Sequence, residues 1–561
     1  MPNDVWFLPL GPEPVLIYAP FHGISTLVNR AMAEVVCACL RDGSEPVPED
    51  APWIESLRGA GKRPEMRKGL PDPLFLGLVP TRGCMMRCAY CDFVTAREHP
   101  QMSFAQIRSA VDGYARVMRE AGRSDWNIHF FGGEPFAAFK EVVFAVNYAR
   151  SSAEKAGASV HFEVTTNGFY SETKARWIAE YIDTVVLSLD GFPEVQNRHR
   201  PGPGGQESFD TVCRSADIFS RGSCEFIIRS CVSAENAENL GQWASFLAKR
   251  FQPEAVCLEP MIESDLARQH GLTPPDADVF VRNWADAFRV LEAEKIRLVC
   301  SSADLTSLNP SLCPMGRDAL IVTPEGEIGS CWQLSENQPS ENHFHGTDGR
   351  NSPTTGNCQP ATDNREPATA FHFGSLGTDG MEIDEGSLNA QRQLVESNRE
   401  GCRGCFCYAH CAGGCVLNRE RSGNFCRITK ALTLWQLLRQ LGYEAWADQL
   451  IADRSFLDRL ENITDYRSLL PGFDTVAIDS SLPPSDTRSP VGSFPLTDRG
   501  SLSDTKSGWI RDGNRILIAD TVGNFVKVIE GQDALRFQLE HSGLTAADAE
   551  NVWAALTEER N

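Results

Sequence analysis

A chain of 561 residues with 53 basic and 75 acidic side chains carries a formal net charge of -22, which repels nucleic acid and anionic membrane surfaces; no local basic patch offsets it. The opening residues Met1-Pro-Asn-Asp4 lack the basic start and apolar stretch of a signal peptide, and no apolar run approaches the roughly 20 residues of a membrane span, so a soluble, cytoplasmic protein is expected. The length suffices for about three or four domains, and 19 cysteines, an odd number concentrated in clusters, suggest metal binding in a reducing compartment rather than a disulfide framework.

Residues 1–70 open with two apolar runs, Val5 to Leu8 and Val15 to Tyr18. A helical stretch from Ser25 to Leu40 follows, with Leu27, Val28, Met32, Val35 and Val36 at helical spacing, so a small strand-strand-helix unit is expected. From 71 to 300 short β-rich runs alternate with longer helical patterns, the mark of an α/β fold with a parallel sheet covered by helices. The strands expected are Leu74 to Val79, Asn127 to Phe131, Val160 to Thr165, Thr184 to Ser188, Glu225 to Val232 and Ala255 to Glu259. The first helix between them opens with Ser103-Phe-Ala-Gln106, a capping-box pattern, and runs to about Ala121.

Parallel α/β folds build their sites at the carboxyl ends of the strands, and the unusual residues of this chain fall there. Cys84-Met-Met-Arg-Cys88-Ala-Tyr-Cys91 follows the first strand, Gly132-Gly133-Glu134-Pro135 the second, Thr166-Asn167-Gly168 the third and Asp190-Gly191 the fourth. Thiolates are the usual ligands of cubane iron-sulfur clusters; three of them leave one iron open, whereas a structural zinc site takes four closed ligands. The triplet resembles the signature of the radical S-adenosylmethionine (SAM) family, and the six-unit layout over residues 74 to about 260 is similar to that family's partial (β/α)6 barrel. The resemblance implies a 4Fe-4S cluster on Cys84, Cys88 and Cys91. SAM would chelate its open iron and be cleaved to a 5'-deoxyadenosyl radical, the cofactors carrying the chemistry while the protein orients and shields.

It also implies a SAM pocket. Gly132 and Gly133 let backbone approach a ligand, and Glu134 with Pro135 places a carboxylate for the methionyl ammonium. Ser188 and Asp190 correspond to the segment beside the ribose, and Asn167 ends the neighbouring strand within reach of a hydroxyl. Asn167-Gly168 is equally the composition of a tight turn. Arg200 is a candidate for the SAM carboxylate, or an exposed loop arginine, and Tyr90 would flank the adenine.

Downstream stand Cys313 and Cys331, with Gly326 between them, then Cys402, Cys405, Cys411 and Cys415 at gaps of two, five and three, and finally Cys426. In isolation the segment from 402 to 415 could be a zinc knuckle. The whole set resembles the SPASM domain, a cysteine-rich extension of radical SAM enzymes housing two auxiliary 4Fe-4S clusters. The resemblance implies an outer cluster on Cys402, Cys405, Cys411 and Cys426, and an inner one on Cys313, Cys331 and Cys415. The fourth inner ligand is open between Cys300, Cys358, Cys407 and a substrate thiolate.

The SPASM region is expected at 301–430, with a flexible insertion at 336–370 rich in Asn, Ser, Thr, Pro and Gly. A helical extension at 431–470 and a linker at 471–507 follow. In the last unit, 508–561, Ile516 to Asp520 and Asn524 to Ile529 form a hairpin around Thr521-Val-Gly523, and a helix is capped at Thr545-Ala-Ala-Asp548. Residues 1–70 loosely resemble leader-peptide-recognition domains, in which a precursor adds a strand to a sheet edge; a plain packing domain is the alternative. The reading expected is a peptide-modifying maturase that abstracts hydrogen from a peptide or protein side chain to give a cross-link or oxidised residue, fed by a flavodoxin- or ferredoxin-type electron donor. Anaerobic sulfatase maturases share the cysteine plan, but many carry an acidic residue after the cysteine matching Cys331, where this chain has Trp332. A small-molecule radical dehydrogenase and a non-catalytic iron-sulfur carrier complete the alternatives.

Overall fold

The computed structural model describes residues 4–45, 51–59, 61–65, 69, 73–91, 93, 100–313, 319–332, 371–377, 380–416, 424–463, 465–466, 509–512, 515–519 and 525–557. The insertion at 336–370, with Cys358 in it, the linker at 471–507 and the turn at Thr521-Val-Gly523 lie outside them. The chain divides into two compact units, Met1–Leu470 and Pro471–Asn561.

Unit one begins with an antiparallel meander, β1 (Trp6–Pro9), β2 (Pro14–Ala19) and β3 (Ile24–Asn29), followed by helices Arg30–Asp42 and Ala51–Arg58. Ser25 to Asn29, expected as the first turn of a helix, is instead a strand in register with β2. Leu27 and Val28 satisfy either period, Thr26 and Val28 are β-branched, and Asn29 starts the helix by accepting a bond from Met32 N at 2.8 Å. The helix consequently turns Val36 into the core beside Phe7, Val15 and Ile17, and leaves Val35 exposed.

The central sheet is parallel over eight strands in the spatial order β10-β9-β8-β7-β6-β5-β4-β11: β4 (Leu76–Leu78), β5 (Asp125–Phe130), β6 (Ser159–Thr166), β7 (Thr184–Ser188), β8 (Glu225–Val232), β9 (Ala255–Pro260), β10 (Arg297–Val299) and β11 (Leu320–Val322). All six expected strands are present, within two residues at each end. β10 and β11 are additions, and β11 pairs back on β4. Three antiparallel strands, β12 (Glu327–Gly329), β13 (His372–Gly377) and β14 (Gly380–Ile383), extend the sheet beyond it. The cysteine-rich region thus shares a sheet with the barrel strands.

Burial alternates along β5, β6 and β8. On β5, Trp126, Ile128 and Phe130 face the covering helices, while Asn127 and His129 line the other face and stay partly exposed. Both faces of a parallel sheet are usually apolar, so a polar, half-open inner face marks a lumen. The helix Phe104–Glu120 carries the expected capping box, with Gln106 N donating to Ser103 Oγ at 3.2 Å and Ser103 N to Gln106 Oε1 at 2.8 Å.

After β14 come the helix Glu385–Glu400, the cysteine loop, and helices Phe425–Gln440, Glu444–Ala452 and Arg454–Asn462. Arg427 ties them together, bonding Asp278 bidentately at 2.6 and 3.0 Å and reaching Asp458 and Glu461. The meander is fastened to the cysteine loop: Trp6 Nε1 donates to Arg403 O at 3.2 Å, Tyr18 hydroxyl bonds His410 Nε2, and Phe7 N donates to Tyr466 O.

Unit two is an antiparallel sheet of β15 (Trp509–Asp512), β16 (Arg515–Ala519) and β17 (Phe525–Glu530), with helices Gly531–His541 and Ala546–Thr557. The expected hairpin is β16–β17, and Thr545 caps the last helix, its Oγ1 accepting from Asp548 N at 3.1 Å. No helix among the described residues is long and apolar enough to cross a membrane.

Candidate functional site

The carboxyl ends of the strands from β4 to β7 bring the three amino-terminal cysteines near Glu134, Asn167 and Arg200, with Tyr90 and Asp190 bonded to one another behind them. The thiols of Cys84, Cys88 and Cys91 lie close enough to act on one another electrostatically. Burial pushes Cys84 and Cys88 up to about 12, with Glu134 adding to the rise at Cys84 and Arg200 opposing it at Cys88. Among the described residues no three His, Cys, Asp or Glu side chains close around a single ion's position.

Gly132 and Gly133 are required by the cysteine loop itself. Gly132 has φ +136°, and a Cβ there would stand 2.5 Å from Thr81 O; one on Gly133 would overlap the carbonyl oxygens of Arg82 and Gly83. Two bonds lock the crossing, Gly133 N to Thr81 O at 3.1 Å and Glu134 N to Gly83 O at 2.8 Å. The glycines expected to admit a ligand therefore first admit the backbone that leads into Cys84.

Glu134 is 1% exposed and faces protein donors. Oε1 accepts from Thr166 Oγ1 at 2.8 Å and Phe136 N at 3.2 Å, and Oε2 from Asn167 N at 2.8 Å. Three of a carboxylate's roughly four acceptor positions are thereby filled, and the side chain staples the end of β5 to the end of β6. Burial raises its pKa to about 7 against the pull of those bonds. Pro135 begins the short helical turn beyond it. Asn167 points its amide at sulfur, with Nδ2 3.5 Å from both Cys84 Sγ and Met85 Sδ, while its Oδ1 accepts from Phe169 N at 2.8 Å. Gly168, at φ +72°, is the turn its composition suggested.

Asp190 is fully buried. Its Oδ2 accepts from Tyr90 hydroxyl at 2.6 Å and Arg200 Nε at 2.9 Å with His199 Nδ1 at 3.4 Å, and its Oδ1 accepts from Cys231 N at 2.9 Å. Burial pushes the carboxyl up, but the Arg200 guanidinium, with His199 and Tyr90 beside it, prevails and holds it well below the usual carboxylate range. This aspartate therefore aims Arg200. The guanidinium spends Nε on Asp190, lies over the Tyr90 ring, and brings Nη1 to 4.0 Å from Cys88 Sγ. Arg200 is thus anchored, with its side chain 14% exposed. Ser188 is buried at the end of β7. Sequence reasoning placed Thr166 at the mouth without its bond to Glu134, and missed His199, which nothing in its local pattern distinguishes.

The later cysteines sort into two neighbourhoods. Burial holds Cys411 well above the ordinary thiol range, and Cys405, Cys402 and Cys426 add to the rise, so all three lie near it. Cys407 is buried and bonded to Cys405, on that same side. Cys313 and Cys331 pack together with Val416 against Phe371 and Val395, and Cys415 is the residue before Val416. Cys300 has Ser302, Cys257 and Glu259 as neighbours, at the ends of β9 and β10.

Inside the barrel, Trp332 packs against Phe75 and Phe131, and His129 Nδ1 lies 3.7 Å from Glu163 Oε1. Neither His129 nor Glu163 was expected. A polar residue on the inward phase of a parallel strand was the available signal.

Residues 78–228 match the model of the Radical SAM superfamily. A cysteine-type anaerobic sulfatase-maturating enzyme of Clostridium perfringens is 27% identical over 222 residues, 38% of this chain and 60% of that protein. The serine-type enzyme of Klebsiella aerogenes is 26% identical over 160 residues, 28% and 38% respectively. The chain spans about 60% of the length of the first of these relatives. A solved structure described as native anSMEcpe with bound AdoMet and Cp18Cys peptide aligns over 70% of this chain and 100% of that one, at 20% identity and a TM-score of 0.45. This protein contains a radical SAM domain and resembles the anaerobic sulfatase-maturating enzymes.

Proposed function

We propose that this radical SAM protein is a maturase that abstracts hydrogen from a side chain of a peptide or protein, leaving a cross-link or an oxidised residue. The observation that carries the reading is the convergence of three thiols with a largely buried arginine and an asparagine amide at one end of the barrel. Three thiols at this spacing suit a cluster with one open iron. Bound there, cluster and SAM supply one-electron radical chemistry. The chain's own part is to hold and orient: Cys84, Cys88 and Cys91 take the cluster, Arg200 directs its free guanidinium edge to the SAM carboxylate, and Tyr90 and Ser188 border the nucleoside. Gly132, Gly133, Glu134, Pro135, Asn167 and Asp190 keep these elements in place. Glu134 has about one acceptor position left for the ammonium.

Cys402, Cys405, Cys411 and Cys426 hold an outer auxiliary cluster in this reading, and Cys313, Cys331 and Cys415 an inner one. The neighbourhood of Cys300 and the Cys405 side of Cys407 favour neither as the fourth inner ligand, leaving Cys358 or substrate. Residues 1–70 serve as the recognition unit, 71–300 as the barrel, 301–430 as the SPASM region with 431–470 as its helical extension, and 508–561 as a separate terminal unit. A flavodoxin- or ferredoxin-type donor in the cytoplasm supplies electrons.

Anaerobic reconstitution with iron counting and a SAM-cleavage assay under dithionite tests this. About twelve irons in wild type and about eight in Cys84→Ala/Cys88→Ala/Cys91→Ala, with 5'-deoxyadenosine from wild type alone, are expected at four irons per cubane. Zinc in place of iron, or no SAM cleavage, overturns the reading. The similarity to sulfatase-maturating enzymes supports a second reading, oxidation of a sulfatase cysteine or serine. Incubation with cysteine- and serine-bearing sulfatase peptides, read by mass, distinguishes the two.

A further inference from the structure

One continuous set of rings lines the inner face of the barrel and has no part in the cofactor assignments. Phe93, two residues past Cys91, meets Phe131 at 5.2 Å between centroids; Phe131 meets Trp332 at 5.0 Å; Trp332 lies near-parallel to Phe75 at 6.0 Å and 8°; and Phe75 stacks on His129 at 4.1 Å and 1°. The wall thus joins the first cysteine loop, the residue before Gly132, and the residue after Cys331. β4 is shaped for it, because a Cβ on Gly77 would stand 2.5 Å from the Trp332 indole. Phe93, Phe131 and Trp332 are each partly exposed.

The wall ends in polar groups. His129 Nδ1 faces Glu163 Oε1 at 3.7 Å, with side-chain exposures of 23% and 32%. Glu225 acts on Glu163 from β8 and accepts from Thr184 at 3.0 Å, and Thr184 bonds His161 at 3.0 Å. A planar surface closed at one end by a carboxylate selects a planar guest with a donor at its far edge. Rings gain offset or edge-on contacts that an aliphatic chain lacks, and an N–H or O–H reaching Glu163 satisfies an acceptor that an apolar ring would leave dry. An acidic guest meets Glu163 and Glu225 as like charges.

Resting on the peptide-maturase reading, we infer that the barrel interior is a pocket for a donor-bearing ring side chain of the substrate, of the tyrosine, tryptophan or histidine class, laid on the Phe131–Trp332 wall with its polar edge toward Glu163. Trp332 and Glu163 are then specificity-determining residues.

The test is anaerobic equilibrium dialysis of the reconstituted full chain, with SAM present, against N-acetyl-tyrosinamide, N-acetyl-leucinamide and N-acetyl-lysinamide. The tyrosine amide is expected to bind at least about tenfold more tightly than the other two. Trp332→Ala should lose most of that preference, Trp332→Phe should keep part of it, and Glu163→Gln should weaken tyrosinamide about tenfold, on the scale of a charge-assisted bond. Iron content and melting temperature, measured on each variant, identify any that fail to fold, and Glu163→Gln tests the pocket independently of the Cys331 neighbourhood. Equal binding of leucinamide, tighter binding of lysinamide, or indifference of tyrosinamide to both Trp332→Phe and Glu163→Gln overturns the inference. Because dialysis does not depend on turnover, loss of SAM cleavage in wild type would sink the maturase reading while leaving the pocket result standing.

Discussion

Replacing Asp190 with asparagine removes one charge from the centre of the site while keeping its shape. The structure fixes the cost. In wild type one carboxylate oxygen takes donors from Tyr90 and Arg200 and the other takes Cys231 N. An asparagine amide presents one oxygen and one NH2, so either orientation sets donor against donor, and the largely buried Arg200 loses its counter-charge. Breaking a buried pair this way costs about 3–5 kcal/mol. The scale of about 2–4 °C per kcal/mol holds for domains of about 150–250 residues, and this unit is larger, so the melting midpoint falls by several degrees and by no more than roughly 6–20 °C. The Asp190 pKa is depressed, so its contribution is fully present above the unfolded value of about 3.9 and is lost only as pH falls through the lower folded value. The deficit should therefore be constant from pH 6 to 8. Circular dichroism melts across that range and equilibrium SAM binding, expected to weaken with Arg200 released, are the assays. An unchanged midpoint together with wild-type SAM affinity would refute the assignment of Asp190 as the residue that aims Arg200.

Gly133→Ala collides with backbone carbonyls of Arg82 and Gly83 that have no rotamer to escape into, so it should displace the Cys84 loop and lower iron by about four atoms per chain, read by iron analysis. Gly77→Ala should cost about 1–3 kcal/mol through overpacking on Trp332, and denaturant melts of Gly77→Ala/Trp332→Ala should show the double variant less destabilised than the sum of the singles. Glu163 has its pKa raised to about 7 by burial and by Glu225. A raised acid loses stability as pH climbs from its unfolded value to its folded one, and no further loss follows. Glu163→Gln should therefore gain on wild type between pH 5 and pH 8, by about 1–3 kcal/mol after allowing for solvent reaching the pair. Equal pH profiles in urea melts would contradict this.

Much of the barrel is legible in the sequence because its longer strands are local apolar runs with helices between them, two of which open on a serine cap, Ser103 with Gln106 and Ser171. β10 and β11 are three residues long, and β11 acquires strand character from pairing Leu320 with Leu76, some 240 positions away, which no local window contains. Ser25 to Asn29 was ambiguous for the opposite reason: a short run with apolar residues at both periods is decided by its neighbour, β2. The site divides the same way. Cysteine spacing announces the metal chemistry, and chain order after each strand announces the mouth. The inward pair His129 and Glu163, adjacent only through strand register, and the occupation of Glu134 by Thr166 and Asn167 are facts of assembly.

The fastening of the first meander to the cysteine loop changes what a truncation experiment means. Trp6 and Tyr18 bond residues 403 and 410, Arg63 lies over the Tyr408 ring, and Tyr466 bridges Phe7 to Gly404. Removing residues 1–70 would strip one side from the loop that carries Cys402, Cys405 and Cys411, and oxygen and water would reach Cys411, which is now buried, and more of the partly exposed Cys402 and Cys405. A shortened chain that fails to act on peptide could have lost its reader or merely rusted. Only substitutions on the solvent edge of β3, away from Trp6 and Tyr18, separate the two.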